Sequence, residues 1–245
     1  MTATKVLAFN ASPRGKNGNT ERILTRFLEG ASEAGAETET IYLREHKIRP
    51  CQGCWTCWVK TPGKCAQKDD MPPMLEKIKE ADVLVYATPL YNYNMTAYLK
   101  ILVERMLPLA DPHIIKVGGL CAHPLRIGKR WRSVLISNAG FCELDHFDAL
   151  RATFRRMTRA HHDFAGEIIR PMGELLRQPM LAEALQWFFD AARQAGREVI
   201  ENGRVSPATE QLLQREIIPE DFFLDAANKF WDAELEKHGN TVSAN

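Results

Sequence analysis

The sequence lacks most of the features that assign a chain to a class at once. Lys and Arg total 32 against 31 Asp and Glu, a formal charge of +1, so no basic field argues for nucleic acid or an anionic membrane as partner. No apolar run approaches the ~18 residues that span a bilayer. The N-terminus offers Lys5 and then only Val6-Leu7-Ala8-Phe9 before polar residues begin, far short of a secretory leader, and a cytoplasmic protein is expected. Internal repeats and low-complexity tracts are missing, as are the Walker A loop, Gly-x-Gly-x-x-Gly and any convincing nucleophile–base pair. What remains is 245 residues, 45% hydrophobic and 26% charged. That excludes a disordered chain, a collagen-like fibre and a disulfide-stapled miniprotein. Six cysteines are present, four of them between residues 51 and 65. In a reducing compartment clustered thiols bind metal or do redox work more often than they form bridges.

Hydrophobic periodicity organises the chain into β-α units. A short apolar run at 5–11 predicts a buried strand, 12–20 a loop, and Ile23, Leu24, Phe27, Leu28 and Ala31 a helix stopped by Gly35. Alternation over 37–44 predicts a strand, and Asp69-Asp70 before Met74, Leu75 and Ile78 a capped helix. Further strands are expected at 81–88, 132–137 and 164–169, with helices around Leu99–Met106, 144–161 and 180–202 and an irregular stretch at 109–131. Five strands alternating with helices predict an α/β protein with a doubly wound five-stranded parallel sheet. Residues 1–203 form the body, with a Cys-rich loop inserted at 46–70, and 204–245 form a C-terminal extension. Ligands of such sheets bind beyond the strands' carboxyl ends, where the loops 12–20, 88–95 and 137–141 are expected to converge.

The loop from Ser12 to Thr20 leads from a strand into a helix N-terminus, where unpartnered N–H groups and the helix dipole favour an anion. Ser12, Asn19 and Thr20 add side-chain donors, Gly15 and Gly18 allow close backbone approach, and Arg14 adds charge. One phosphate suits this loop better than a pyrophosphate or triphosphate; the plain alternative is a helix start capped by Asn19 or Thr20. In the second loop Tyr91 and Tyr93 offer π faces to a flat heterocycle, and Asn92 and Asn94 carry donors and acceptors for its rim. The plain alternative there is a turn whose rings cover the sheet end. Ser12-Pro13-Arg14, Asn17-Gly18-Asn19-Thr20, Pro89-Leu90-Tyr91 and Asn138-Ala139-Gly140-Phe141, in this order over roughly residues 4–170, resemble the flavodoxin-like NAD(P)H-dependent FMN reductases. The resemblance implies a flavodoxin-like fold and FMN as cofactor, its phosphate on Ser12, Arg14, Gly18, Asn19 and Thr20. It places Pro89, Leu90, Tyr91, Asn92 and Tyr93 along the isoalloxazine, and Asn138, Ala139 and Gly140 at its pyrimidine side.

Cys51-x2-Cys54-x2-Cys57-x7-Cys65 carries two consecutive x2 spacings, which let three thiolates face one centre as in [4Fe–4S] runs; Cys65 can close the site. Trp55 and Trp58 are expected to exclude water from the sulfurs. The compact pattern resembles the iron–sulfur flavoproteins, a branch of the same FMN-binding group. Three readings compete: a structural Zn site, which usually takes two separated Cys-x2-Cys pairs; a thiol relay or disulfide; and buried thiols with no cofactor. Cys121 and Cys142 are expected to pack as small apolar fillers.

The expected function is FMN-dependent electron transfer from NAD(P)H to a small acceptor. The alternatives are a non-catalytic electron carrier or redox sensor and a Zn-binding module. A ferredoxin-like carrier is a candidate partner, and the resemblance implies a homodimer or homotetramer. Trp187-Phe188-Phe189 and Phe222-Phe223 are read as interface or core. Arg126, Lys129, Arg130 and Arg132 are candidates for NAD(P)H phosphates, although a solvated loop is the simpler reading. His161-His162 is read as a helix end, and His113 and His123 carry no assigned role.

Overall fold

The computed structural model describes residues 2–240. In chain order the elements are β1 (Lys5–Asn10), α1 (Asn19–Glu33), β2 (Glu37–Tyr42), the single turn α2 (Thr56–Val59), α3 (Met71–Glu80), β3 (Val83–Pro89) and α4 (Ala97–Glu104). There follow β4 (Ile115–Val117), β5 (Leu120–Ala122), β6 (Trp131–Asn138), α5 (Asp148–Thr158), β7 (His162–Arg170), α6 (Gln186–Glu201), α7 (Pro207–Leu213) and α8 (Glu220–Lys237). Five strands pair in parallel in the order β2-β1-β3-β6-β7, the doubly wound flavodoxin-like arrangement. Order reverses between β1 and β3, which makes the crevice above their carboxyl ends the natural ligand position.

β3 as far as Thr88 and β6 from Ser133 onward are buried because helices cover both faces. On one face Leu7, Phe9, Leu84, Tyr86 and Leu135 pack with Met74 and Ile78 of α3, Leu99 and Leu102 of α4, and Leu150 and Phe154 of α5. The other face is covered by α1 and α6, which cross at two glycines. A Cβ on Gly30 would lie 2.7 Å from the Arg193 carbonyl carbon, and one on Gly196 would lie 2.8 Å from that of Phe27. Glycine is required there for the two helix backbones to touch.

Several expectations change. The stretch 109–131 contains the antiparallel hairpin β4–β5, turned by Gly118 and Gly119, both at positive φ. Cys121 stands exposed on β5 instead of packing as an apolar filler. His162 opens β7 and is buried in the sheet, so His161-His162 is not a helix end. Phe188 of α6 is fully buried core.

The chain divides into two compact units, one ending at Leu213 and one beginning at Gln214. Within the first, Val205 N–H donates to the Ala165 carbonyl (2.7 Å). Glu198 accepts from Ser206 N (2.7 Å) and Thr209 Oγ1 (2.8 Å), which anchors α7. The second holds α8, which has no buried residue. No described helix is long and apolar enough to cross a membrane.

Candidate functional site

The three loops converge at the carboxyl edge of β1, β3 and β6, and hydrogen bonds lock them together. Thr96 Oγ1 donates to the Ala11 carbonyl (2.9 Å), joining the first loop to the second. Leu90 N–H donates to the Asn138 carbonyl (2.8 Å), joining the second to the third. Asn138 Nδ2 donates to Thr20 Oγ1 (2.7 Å), closing the ring of contacts.

In the first loop Gly18 is the N-cap of α1, and no side chain caps the helix; the capped start by Asn19 or Thr20 is not what forms. The first N–H groups of a 15-residue helix are thus left to an incoming acceptor. Thr20 is buried, and because its oxygen already accepts from Asn138 its hydroxyl proton is free to donate. Asn19 is also buried, and its Oδ1 has no partner. A Cβ on Gly18 would sit 2.5 Å from Ser12 Oγ, so only glycine keeps this cradle open. Asn10 shapes the loop from beneath: its Oδ1 accepts from Ser12 N–H (2.9 Å), and its Nδ2 donates to Glu21 (2.7 Å). Tyr42 OH also donates to Glu21 (2.6 Å), and burial together with that carboxylate pushes the phenol upward. Arg14 departs from the simple expectation. Its guanidinium pairs with Glu174 (3.0 Å) at the surface. The glycine cradle, the uncapped helix N–H groups and the free Thr20 hydroxyl fit a phosphate monoester.

In the second loop Tyr91 and Asn94 exchange both backbone hydrogen bonds (2.9 and 3.1 Å) around Asn92 and Tyr93, at φ 49° and 64°. Two successive left-handed residues make a tight primed turn, and both tyrosine rings are half exposed. In the third loop Asn138 is buried, Ala139 N–H donates to the Arg170 carbonyl (3.1 Å), and Gly140 faces open space. His146 stands between Tyr93 and Phe141, ring centroids 5.5 and 5.2 Å away, with Nε2 3.1 Å from Glu143.

Cys51, Cys54, Cys57 and Cys65 line one recess with Trp55, Arg105, Leu107 and Pro108. Gly53 and Trp55 adopt left-handed φ of 63° and 55° and turn the chain sharply around Cys54. Cys57, in α2, is buried, and burial and the neighbouring Cys65 push its thiol upward. Cys54 is exposed, and hydrogen bonding with Thr56 pulls its thiol down. Trp58 is the tryptophan held inward: its Nε1 donates to the Leu107 carbonyl (3.1 Å) and its ring meets that of His123 at a tilt, centroids 4.7 Å apart. Trp55 is half exposed. Among the described residues no three His, Cys, Asp or Glu side chains stand in a metal-binding group; the thiols surround a recess without forming a coordination shell.

Arg105 and Asp69 form a buried ion pair at this recess, with side chains 1% and 4% exposed. Burial opposes the Asp69 charge, but the Arg105 fork and two backbone N–H groups outweigh it and hold Asp69 down at about 2. Sequence reading missed Arg105, Asn10, Glu21 and Glu174, since each acts through partners remote in the chain or outside a motif. The basic stretch serves other ends. Arg126 pairs with Asp111 (3.1 Å), Lys129 with Asp82 (3.5 Å) and Arg130 with Asp163 (3.0 Å), while Arg132 donates to the Val199 carbonyl (2.9 Å).

Comparison with known proteins gives the family and the fold. Residues 4–142 match the model of the NADPH-dependent FMN reductases. An iron-sulfur flavoprotein of Archaeoglobus fulgidus is 38% identical over 127 residues, 51% of this chain and 56% of that protein. One from Methanocaldococcus jannaschii is 39% identical over 120 residues, 48% of this chain and 61% of that protein. The match thus spans little more than half of those relatives' own length. In structure, the NAD(P)H:quinone oxidoreductase of Methanothermobacter marburgensis superposes with a TM-score of 0.58 at 21% identity, covering 81% of this chain and 96% of that one.

Proposed function

The chain belongs to the NADPH-dependent FMN reductase family, and from that premise we propose that it is an NAD(P)H-dependent FMN oxidoreductase delivering electrons to a small acceptor such as a quinone or free flavin. The observation that carries the reading is the uncapped, glycine-cradled N-terminus of α1, joined through Asn138 and Thr96 to the two other loops at the strand switch point. FMN, when bound, supplies hydride and electron transfer. The chain's own residues bind and orient it. Ser12, Gly18, Asn19 and Thr20 meet the phosphate with N–H and hydroxyl donors, and Arg14 adds charge above them. Pro89, Leu90, Tyr91, Asn92 and Tyr93 flank the ring, and Asn138, Ala139 and Gly140 meet its polar side.

Cys51, Cys54, Cys57 and Cys65 are proposed to hold a [4Fe–4S] cluster, which when bound exchanges single electrons. The donor set of four thiols on one recess supports this, as do relatives named iron-sulfur flavoproteins. A ferredoxin-like carrier, a homodimer or homotetramer and a cytoplasmic setting complete the proposal. Thr20→Ala removes one donor to a charged group, worth about 1.5–3 kcal/mol, so FMN is expected to bind at least about tenfold more weakly by fluorescence titration. An unchanged Kd would move the phosphate elsewhere. FMN-loaded protein that oxidises neither NADH nor NADPH with any acceptor would refute the enzymatic reading.

A further inference from the structure

The first three cysteines are placed by their own spacing, but Cys65 lies eight positions beyond Cys57 and needs an anchor from outside the run. The structure supplies one. Arg105, at the end of α4, is 1% exposed. Its Nη1 donates to the Arg49 carbonyl (2.6 Å) and Asp69 Oδ2 (2.6 Å), and its Nη2 donates to Asp69 Oδ1 (3.0 Å) and Cys65 Sγ (3.4 Å). Arg49 precedes Cys51 and Asp69 follows Cys65, so one guanidinium grips both arms of the loop and touches the fourth sulfur as well. Its Nε is buried and has no partner, a spare donor on a side chain that lines the recess.

We propose that Arg105 is the positioning residue of the thiol site: it fixes Cys65 and, by donating to that sulfur, makes the cluster easier to reduce. The inference rests on the cluster reading above. Reduction adds negative charge to a cluster, and hydrogen bonds to its sulfurs and nearby positive charge are what move its potential upward. The Asp69 carboxylate balances the guanidinium charge with the Nη1 and Nη2 bonds, and the remaining Nη2 contact goes to the Cys65 sulfur, which the clamp on Arg49 and Asp69 does not itself require. Lysine cannot replace the guanidinium fully, because one ammonium does not reproduce the planar fork.

The test compares wild type, Arg105→Lys and the double variant Arg105→Gln/Asp69→Asn. The double variant removes both buried charges together and leaves neither unpaired. Each is reconstituted anaerobically, assayed for iron and sulfide, checked by far-ultraviolet circular dichroism, and titrated by electron paramagnetic resonance for the cluster midpoint. The double variant is expected to be harder to reduce by about tenfold in the reduced-to-oxidised ratio, about 59 mV for one electron, with Arg105→Lys between. Loss of iron from the variants with the fold intact and wild type fully loaded also supports the role. Equal loading and equal midpoints would overturn this inference alone. Wild type that takes up no iron and sulfide would overturn the cluster reading, and this inference with it.

Discussion

Acid should destabilise this protein through one residue at the far end of the sheet from the crevice. His162 is 8% exposed, its ring lies 5.1 Å from Trp131, and its Nδ1 is hydrogen bonded to the Ser133 hydroxyl. Burial first, and then the neighbouring His161 and Arg130, press its pKa from 6.5 to about 3. Between those values the unfolded chain binds a proton that the folded chain refuses, so stability falls by ~1.4 kcal/mol per pH unit. The neutral ring's contribution is complete above 6.5 and is lost as pH drops toward 3. From pH 7 to pH 4 the loss is about 3 kcal/mol, set against a typical total of about 5–15 kcal/mol. Urea unfolding followed by tryptophan fluorescence at pH 7, 6, 5 and 4 measures it. His162→Phe is expected to be less stable at pH 7, because Ser133 loses its partner, yet to lose about 3 kcal/mol less than wild type on acidification. Parallel pH curves for the two proteins, or a His162 ring proton titrating near 6.5, would refute the reasoning.

Glu174→Gln frees Arg14 and lifts a negative charge from beside the phosphate loop. FMN is expected to bind about two- to tenfold more tightly at low salt, while stability shifts by less than about 1 kcal/mol because the pair is half exposed; weaker binding would show that the pair holds the loop in shape. Gly196→Ala places a Cβ against the Phe27 carbonyl. The unfolding free energy from denaturant titration should then fall by about 3 kcal/mol or more, the upper range for overpacking, and a loss below about 0.5 kcal/mol would mean that α1 and α6 part easily.

Much of the fold was legible because buried parallel strands read as unbroken apolar runs. Val83-Leu84-Val85-Tyr86 has no other comfortable place than the middle of a covered sheet. The phosphate loop was legible for a related reason, since helix starts advertise themselves through small and polar residues. The hairpin β4–β5 was not: two three-residue strands around Gly118-Gly119 carry too little alternation to register. His162 was misread because a histidine pair after a helical pattern looks like a helix end, whereas its burial follows from strand pairing with β6. Arg105 was invisible for the deeper reason that its partners Asp69 and Cys65 lie 36 and 40 residues away. Gly30 and Gly196 likewise look like weak helix residues until the crossing is seen.

The two outermost strands have a consequence for behaviour in a crowded solution. On one flank β2 presents exposed Glu37, Thr38 and Glu39 with a Lys77–Glu39 ion pair. On the other, Val205 bonds to Ala165 in β7 and its side chain lies so near Gly166 that a Cβ there would sit 2.6 Å from it. One rim is guarded by charge and the other is capped by the chain itself, two devices that stop sheets from adding strands end on end. Neither outer strand of this sheet is left as a long, bare apolar edge of the kind that invites a further strand.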